Sequence, residues 1–136
     1  MPVLDASVLV EYLAAGEHHE LVRERLLGHD EPLWAPHLVD AEVGHVLRRA
    51  VMLGELRAGI AAAALADLAD MPLRRAAHIG LLERDWSLRR NVTFYDALYI
   101  ALAERLDMTL VTLDARLDGA PGLRVGIDVI GRDGAR

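Results

Sequence analysis

Apolar residues along this chain fall either in short continuous runs or in longer stretches with helical spacing. The short runs predict buried strands at residues 3–4, 33–35 and 109–113, and weaker apolar runs predict edge strands at residues 72–73 and 125–130. The longer stretches, with apolar residues three and four positions apart, predict helices at residues 8–13, 19–27, 37–53, 56–68, 79–90 and 94–106. Strands that alternate with helices favour a parallel sheet with helices on both faces. We therefore expect an α/β fold: a three-layer α/β/α sandwich around a central, mainly parallel sheet of four to five strands.

Turn-forming and capping residues set the predicted ends of these elements. Ser7 is expected to cap the first helix and Thr93 the sixth, because a side-chain oxygen there can accept free N–H groups of the first turn. Gly28 and Gly54 are expected to end the second and third helices. Pro36 is expected to begin the third.

Helical spacing also predicts which side chains pack against the sheet. In the third helix the expected apolar stripe consists of Val39, Val43, Val46, Ala50 and Leu53. In the fifth helix the expected packed flank consists of Leu82, Trp86 and Arg89. The chain is expected to form one domain over residues 1–130, followed by a mobile tail at residues 131–136.

Composition narrows the chemistry that such a fold could carry. Cysteine is absent, which excludes disulfides and thiolate catalysis, and all 15 lysine and arginine residues are arginine. The lack of lysine excludes Schiff-base chemistry and a P-loop, and it disfavours a phosphatase or receiver domain built around Asp5. The net charge of −6 argues against a general coat for nucleic acid, but not against an enzyme that acts on it.

The apolar segments predict neither a signal peptide nor a membrane span. Asp5 and Glu11 interrupt the first segment, and the longest apolar run, residues 60–66, is too short to cross a bilayer. Because the absence of cysteine also fits a reducing compartment, we expect a cytoplasmic protein.

Four acidic residues stand in apolar surroundings, where an ionised carboxylate is costly unless it is compensated. Asp5 and Asp114 each follow a predicted strand, and ligands gather at the carboxyl ends of strands in open α/β sheets. Glu42 lies on the shoulder of the apolar stripe in the third helix, roughly 50° from its centre, whereas Asp40 lies roughly 110° away. Asp96 is the only charged residue in the apolar first part of the sixth helix.

Each of the four also has a purely structural interpretation. Asp5 and Asp114 could cap the helical turns that follow them, and Asp96 has capping-box spacing from the threonine three residues earlier. Glu42 could extend from a buried stem to water. Asp118 could be a fifth ligand, although Asp118-Gly119 is also an ordinary turn. The other acidic residues with polar neighbours are expected on solvated faces: Glu17, Glu20, Glu24, Asp30, Glu31, Glu55, Asp67, Asp70, Glu83 and Asp85.

Taken together, the four carboxylates predict a cation site. If the two strand ends are neighbours in the sheet, all four can reach the same rim. Carboxylates ~4–5 Å apart repel by about 3–4 kcal/mol per pair at an effective dielectric constant of ~20, which threatens a total stability of only ~5–15 kcal/mol. Protons or cations must therefore compensate them. Oxygen ligands without thiolates select hard cations, Mg²⁺ or Mn²⁺.

These acids and their neighbours resemble the PIN domain family, specifically the VapC-type toxins of bacterial toxin–antitoxin pairs. The matching segments are Asp5-Ala6-Ser7, Glu42, YDALYIALAE at residues 95–104 and LVTLDARL at residues 110–117. The resemblance covers almost the whole chain in the right order, and its last two motifs are specific.

The resemblance implies an endoribonuclease with Mg²⁺ or Mn²⁺ as cofactor. In such an enzyme metal-activated water cleaves RNA phosphodiester bonds and leaves a 5′-phosphate and a 3′-hydroxyl. The family's catalytic, metal-binding acids map onto Asp5, Glu42, Asp96 and Asp114. Assisting hydroxyls would fall on Ser7 and Thr112, whose structural alternatives are a helix cap and an ordinary strand residue.

The partners that the resemblance implies are an RNA substrate and a small cognate antitoxin. Three arginine pairs could bind RNA phosphates, although solvated helix ends explain them as well: Arg48-Arg49, Arg74-Arg75 and Arg89-Arg90. Surplus apolar residues in the third and fourth helices favour a homodimer and an antitoxin groove. The alternative is a non-catalytic PIN-like module that binds metal, RNA or a protein without turnover.

Overall fold

The structure, a computed structural model, describes residues 2–27 and 30–131. These ranges contain five strands and six α-helices, in chain order β1 (Pro2–Leu4), α1 (Ala6–Leu13), α2 (His19–Leu27), β2 (Leu33–Pro36), α3 (Leu38–Met52), α4 (Ala58–Asp70), β3 (Leu73–Ala76), α5 (Leu82–Ser87), α6 (Phe94–Leu106), β4 (Thr109–Thr112) and β5 (Ile127–Val129). Short 3₁₀ helices precede α5 (Ile79–Leu81) and follow β4 (Ala115–Gly119). The predicted helix end at Gly28 and the tail beyond Gly131 lie outside the described residues.

The strands form one parallel sheet in the order β3-β2-β1-β4-β5. From β1 the chain builds the sheet through β2 to β3, and then returns to add β4 and β5 on the other side of β1. The strand order therefore reverses between β1 and β4, where Leu4 pairs with Val111. In parallel α/β sheets the crevice outside the carboxyl ends of two such strands is the usual ligand site.

Helices cover both faces of this sheet. On one face α6, joined by α5, packs on β1, β2 and β4, whereas α1 to α4 pack against one another. The crossovers from β1 through β2 to β3 run in one direction and the crossover from β3 back to β4 runs in the other, so right-handed connections place the two groups of helices on opposite faces. Every residue of α6 from Ala97 to Ala103 is buried, as its apolar pattern predicted. The expected three-layer α/β/α fold is thus confirmed. No helix in the described part of the chain is both long and apolar enough to cross a membrane.

Two expectations for α3 are wrong. Pro36 is the last residue of β2, paired with Ala76, and α3 begins at Leu38. A proline is tolerated at a strand end, where its missing N–H disrupts the ladder least. The stripe is also rotated, because Val46 and Leu53 are exposed and Leu47 is buried. The helix packs on α1 and α4 as well as on the sheet, so these neighbours turn its buried face.

The predicted fifth helix differs most from the structure. It is divided between a 3₁₀ helix and the six-residue α5, and its expected packed residues Leu82, Trp86 and Arg89 are exposed. The residues buried on this segment are instead Leu81, Asp85 and Leu88. The expectation that Asp85 is solvated is therefore wrong. Apolar residues occur on two sides of this short segment, and packing against α6 selects one of them.

Candidate active site

The carboxylate of Asp5 lies at the carboxyl end of β1, where three groups donate to it. Ser7 Oγ donates to Oδ1 at 2.5 Å, the N–H of Val8 donates to Oδ1 at 3.3 Å, and Thr112 Oγ1 donates to Oδ2. Asp5 is thus the N-cap of α1, and the prediction that Ser7 caps this helix is wrong. The structural role foreseen for Asp5 is real, yet it leaves the carboxylate on the wall of a cleft.

The two hydroxyls that hold Asp5 are oriented by the backbone that follows β4. Ser7 Oγ accepts from the N–H of Leu113 at 3.2 Å, and Thr112 Oγ1 accepts from the N–H of Asp114 at 3.0 Å. A hydroxyl has a single proton, so each oxygen that accepts from the backbone directs its proton at Asp5. Burial raises the pKa of Asp5 above its ordinary value, and the two hydroxyls offset part of that rise.

Glu42 projects from α3 and is held by a buried tyrosine of α6. Tyr99 Oη donates to Glu42 Oε1 at 2.6 Å, and only 2% of Tyr99 is exposed. Burial and the hydrogen bond to Glu42 raise the pKa of the phenol well above its ordinary value, so Tyr99 remains a donor. Asp40, the other acid on this part of α3, pairs with Arg75 at 2.7 Å. Glu42 is therefore the acid of α3 that reaches the cleft.

Asp96 lies in the first turn of α6. Thr93 is the N-cap of this helix, as predicted, and its Oγ1 accepts from the N–H of Asp96 at 3.1 Å. Burial raises the pKa of Asp96, and the negative charge of Asp114 raises it further, while Arg116 acts in the opposite direction. The carboxylates of α6 and of the segment after β4 are thus electrostatically coupled.

Asp114 follows β4 and caps the 3₁₀ helix after it. Its Oδ1 accepts from the N–H of Arg116 at 3.0 Å. The guanidinium of Arg116 also binds it with two further hydrogen bonds, Nε to Oδ1 at 3.0 Å and Nη2 to Oδ2 at 2.8 Å. This fork lowers the pKa of Asp114 below its ordinary value. Both oxygens of the Asp114 carboxylate are therefore engaged.

The four predicted acids line one cleft of about 520 Å³, which we call the acidic cleft. Asp118 is exposed and does not line it. The lining includes four further polar residues that the sequence pattern did not predict for the site: Glu11, Glu17, His18 and Tyr99. Glu11 lies four residues after Ser7, and Tyr99 three after Asp96, so same-face helical spacing is the signal that finds them. Glu17 and His18 come from a turn, where no such spacing applies.

The carboxylate oxygens of the acidic cleft are suitable ligands for a hard divalent cation. In their present rotamers, however, the carboxylates are spread along the wall of the cleft. Within residues 2–27 and 30–131, no three acidic or histidine side chains lie close enough together to bind one metal ion. The carboxylates nevertheless interact electrostatically, since the charge of Asp96 raises the pKa of Asp5 and the charge of Asp114 raises the pKa of Asp96. An all-oxygen donor set fits Mg²⁺ or Mn²⁺. Closer approach requires rotation of side chains, among them Asp114, which Arg116 now holds.

The arginine pairs predicted to contact RNA have different surroundings. Arg75 has a structural role, because it pairs with Asp40 and donates to the backbone oxygens of Leu68 and Leu73. Arg89 stacks over the ring of Trp86 at 4.8 Å. Arg48, Arg49 and Arg90 are exposed. These described arginines lie outside the lining of the acidic cleft, and their contact with RNA stays a prediction.

Comparison with known proteins assigns the family. The family model described as the PIN domain matches residues 3–123. The chain belongs to the PIN domain family. Ribonuclease VapC1 of Mycobacterium tuberculosis is 47% identical over 129 residues, which are 94% of this chain and 96% of that protein. This identity places the present PIN domain with the VapC proteins, as its motifs implied.

Two solved structures share the fold of this PIN domain. The Pyrobaculum aerophilum protein PAE2754 has a TM-score of 0.68 at 29% identity, over 94% of this chain and 83% of that one. VapBC2 from Rickettsia felis, solved bound to a DNA fragment from its promoter, has a TM-score of 0.67 over 93% of this chain and 97% of that one. Its identity is 15%, so this second likeness shows the fold alone.

Proposed function

We propose that this chain is an endoribonuclease that requires Mg²⁺ or Mn²⁺ and acts as the toxin of a toxin–antitoxin pair. The observation that carries the proposal is the acidic cleft, where carboxylates from four separate segments line one opening at the reversal of strand order. The relative named a ribonuclease, at 47% identity over 94% of the chain, supports the same activity.

Asp5, Glu42, Asp96 and Asp114 are the residues that would hold the metal ion. Bound there, the ion would supply a Lewis acid that polarises the scissile phosphate. Cations are also needed for substrate entry, because four carboxylates repel an RNA backbone until positive charge neutralises them. The overall net charge of −6 is therefore compatible with an RNA substrate.

The chain's own residues orient the reacting groups. The hydroxyls of Ser7 and Thr112 hold Asp5 in one rotamer, and Tyr99 does the same for Glu42. Such preorganisation of charged groups lowers the cost of reaching the transition state. Glu42 or Asp96 positions the attacking water and accepts its proton. As oxygen bonds to phosphorus, the bond to the 3′ oxygen breaks, and this leaving oxygen takes up a proton from solvent in exchange for the one that the acid received, which leaves a 5′-phosphate and a 3′-hydroxyl.

An antitoxin and a second copy of the chain are the proposed protein partners. The outer surface of α3, α4 and their connection exposes several large apolar side chains: Met52, Leu53, Ile60 and Leu65. Large exposed apolar side chains are the kind of residue that protein contact sites bury. This surface lies on the helices whose surplus apolar residues predicted association.

The test is cleavage of a mixed-sequence single-stranded RNA by the purified chain, in Mn²⁺ and in EDTA. We expect cleavage only in Mn²⁺, products with 5′-phosphates, and loss of cleavage in Asp5→Asn and Asp96→Asn. The matched control, Asp67→Asn, removes an exposed acid of α4 and should cleave normally. Circular dichroism verifies that each variant is folded.

Two results would count against the proposal. Cleavage that persists in both cleft variants would show that the acidic cleft is not the site. A wild-type chain that binds RNA or Mn²⁺ but never cleaves would establish the non-catalytic module instead.

A further inference from the structure

Arg116 lies where the acidic cleft meets a second cleft. This second cleft, of about 330 Å³, shares Asp96 and Asp114 with the first and continues past Asn91 and Thr93. Arg116 is the one arginine among the described residues that line the two clefts. That side chain is 88% exposed. A cation thus stands at the junction of two openings that share two of the four acids.

The contact between Arg116 and Asp114 conflicts with the proposed role of Asp114. Two guanidinium hydrogen bonds and one backbone hydrogen bond occupy both of its carboxylate oxygens. A divalent cation that approached this carboxylate would meet the positive charge of the guanidinium. Because an exposed ion pair is weak, the metal ion would displace the side chain rather than share its partner.

A displaced Arg116 would have a phosphate as a second acceptor, with oxygens arranged like those of the carboxylate. The planar fork of a guanidinium fits two oxygens of a phosphate as well as two oxygens of a carboxylate. Its backbone stays fixed by the 3₁₀ helix after β4, so the released side chain remains beside the second cleft. An RNA strand whose scissile phosphate enters the acidic cleft would present a neighbouring phosphate there.

We propose that Arg116 exchanges partners during the reaction cycle, which rests on the nuclease function proposed above. It pairs with Asp114 until a divalent cation takes that carboxylate, and it then binds a phosphate of the RNA strand in the second cleft. Arg116 therefore opposes metal binding in the absence of RNA and supports RNA binding in the presence of metal.

The first half of the test measures Mn²⁺ affinity without RNA, by isothermal titration calorimetry of the whole chain. Arg116→Ala should bind Mn²⁺ about two- to fivefold more tightly than wild type, because the competing cation is gone. The matched control is Arg23→Ala, which removes another exposed arginine from an acid pair, with Glu20 at 3.8 Å. This control should leave the Mn²⁺ affinity unchanged.

The second half measures interaction with a labelled mixed-sequence single-stranded RNA. In Mn²⁺, Arg116→Ala should raise KM about three- to tenfold. Its log KM should also depend less steeply on log salt, by about 0.7 for one lost phosphate contact. In EDTA, where Asp114 retains the guanidinium, RNA affinity by fluorescence anisotropy should match wild type. Arg116→Lys, which keeps the charge but not the fork, should give an intermediate KM.

Separate outcomes overturn this inference and the proposed function. An equal loss of RNA affinity in EDTA and in Mn²⁺ would make Arg116 a simple surface contact and overturn the exchange. Unchanged or weaker Mn²⁺ binding by Arg116→Ala would overturn it as well. If the wild-type chain cleaves RNA in Mn²⁺ and Arg116→Ala behaves as the control does, the exchange alone fails. If wild type neither binds Mn²⁺ nor cleaves RNA, both fail together.

Discussion

Two carboxylates, the partly buried Asp5 and the fully buried Asp85, have opposite surroundings. Asp5 receives hydrogen bonds from two hydroxyls and one backbone N–H, and it faces an open cleft. Asp85 is 0% exposed, and neither of its side-chain oxygens has a hydrogen-bond partner among the described residues. Burial raises the pKa of both. The donors around the carboxylate, rather than its burial, therefore distinguish a functional site from an unfavourable core position.

The largest expected effect separates the two acids by activity. Asp5→Asn removes the charge at the centre of the hydroxyl network and should lower the rate of RNA cleavage by about 100-fold or more. Asp85→Asn removes a charge of the same kind elsewhere and should leave the rate within about twofold of wild type. Initial rates in saturating Mn²⁺ test this contrast. Equal losses in the two variants would mean that the rates report general destabilisation.

The hydroxyl network itself should contribute to stability. Thr112→Val keeps the shape of the side chain but removes a hydrogen bond to a charged carboxylate and the acceptor of the Asp114 N–H. We expect the free energy of unfolding to fall by about 1.5–3 kcal/mol. Urea denaturation in EDTA at pH 7.5 measures it, with Thr109→Val, an exposed change on the same strand, as the control. A loss no larger than that of the control would mean that the network does not stabilise the fold.

Substitution of Asp85 is expected to stabilise the fold, in contrast to the substitution of Thr112. Asp85→Leu replaces an unpartnered carboxylate by an apolar side chain and should raise the free energy of unfolding by about 1–3 kcal/mol at pH 7.5. Glu83→Leu, an exposed change on the same helix, should alter it by no more than about 0.5 kcal/mol. A destabilised Asp85→Leu would mean that the carboxylate makes favourable contacts after all.

The pH dependence of that gain follows from the pKa of Asp85, which burial raises from 3.8 to about 6. Between these two values the folded chain retains a proton that the unfolded chain has released, so wild-type stability falls as pH rises through this window. The advantage of Asp85→Leu should therefore be small near pH 4, grow up to about pH 6 and stay constant above it. Urea denaturation at several pH values checks this. An advantage that does not depend on pH would contradict the raised pKa.

The smallest effect concerns the hydrogen bond that orients Glu42. Tyr99→Phe keeps the buried ring and removes the hydroxyl, so the fold should be retained while Mn²⁺ affinity falls by a few-fold. Combined with Glu42→Ala, the same change should cause no further loss of affinity. Calorimetric Mn²⁺ titrations of the single and double variants provide this cycle. An additive loss would assign Tyr99 a general structural role.

Much of this architecture was predictable from the sequence. Buried parallel strands consist of continuous apolar runs, and acids that interrupt apolar patterns stand out, which is why Asp5 and Asp96 were found. The edge positions of β3 and β5 also agree with their weaker apolar patterns. These patterns are local in sequence, so they can be recognised without knowledge of the tertiary contacts.

The features that were not predictable depend on contacts between elements. Asp5 and Ser7 are both good N-caps two residues apart, and the end of β1 decides between them. In α5, six residues are too few to fix the phase of a helix, so Asp85 was assigned to the wrong side. The fork between Arg116 and Asp114 is a matter of rotamers, about which sequence spacing says nothing.

The most direct test of the central claim, that the acids of the cleft act jointly on a divalent cation, is Mn²⁺ affinity measured by electron paramagnetic resonance without RNA. We expect at least about tenfold weaker binding in each of Asp5→Asn, Glu42→Gln, Asp96→Asn and Asp114→Asn, and wild-type binding in Asp85→Asn. Wild-type affinity in the four cleft variants, or an equal loss in Asp85→Asn, would contradict the claim.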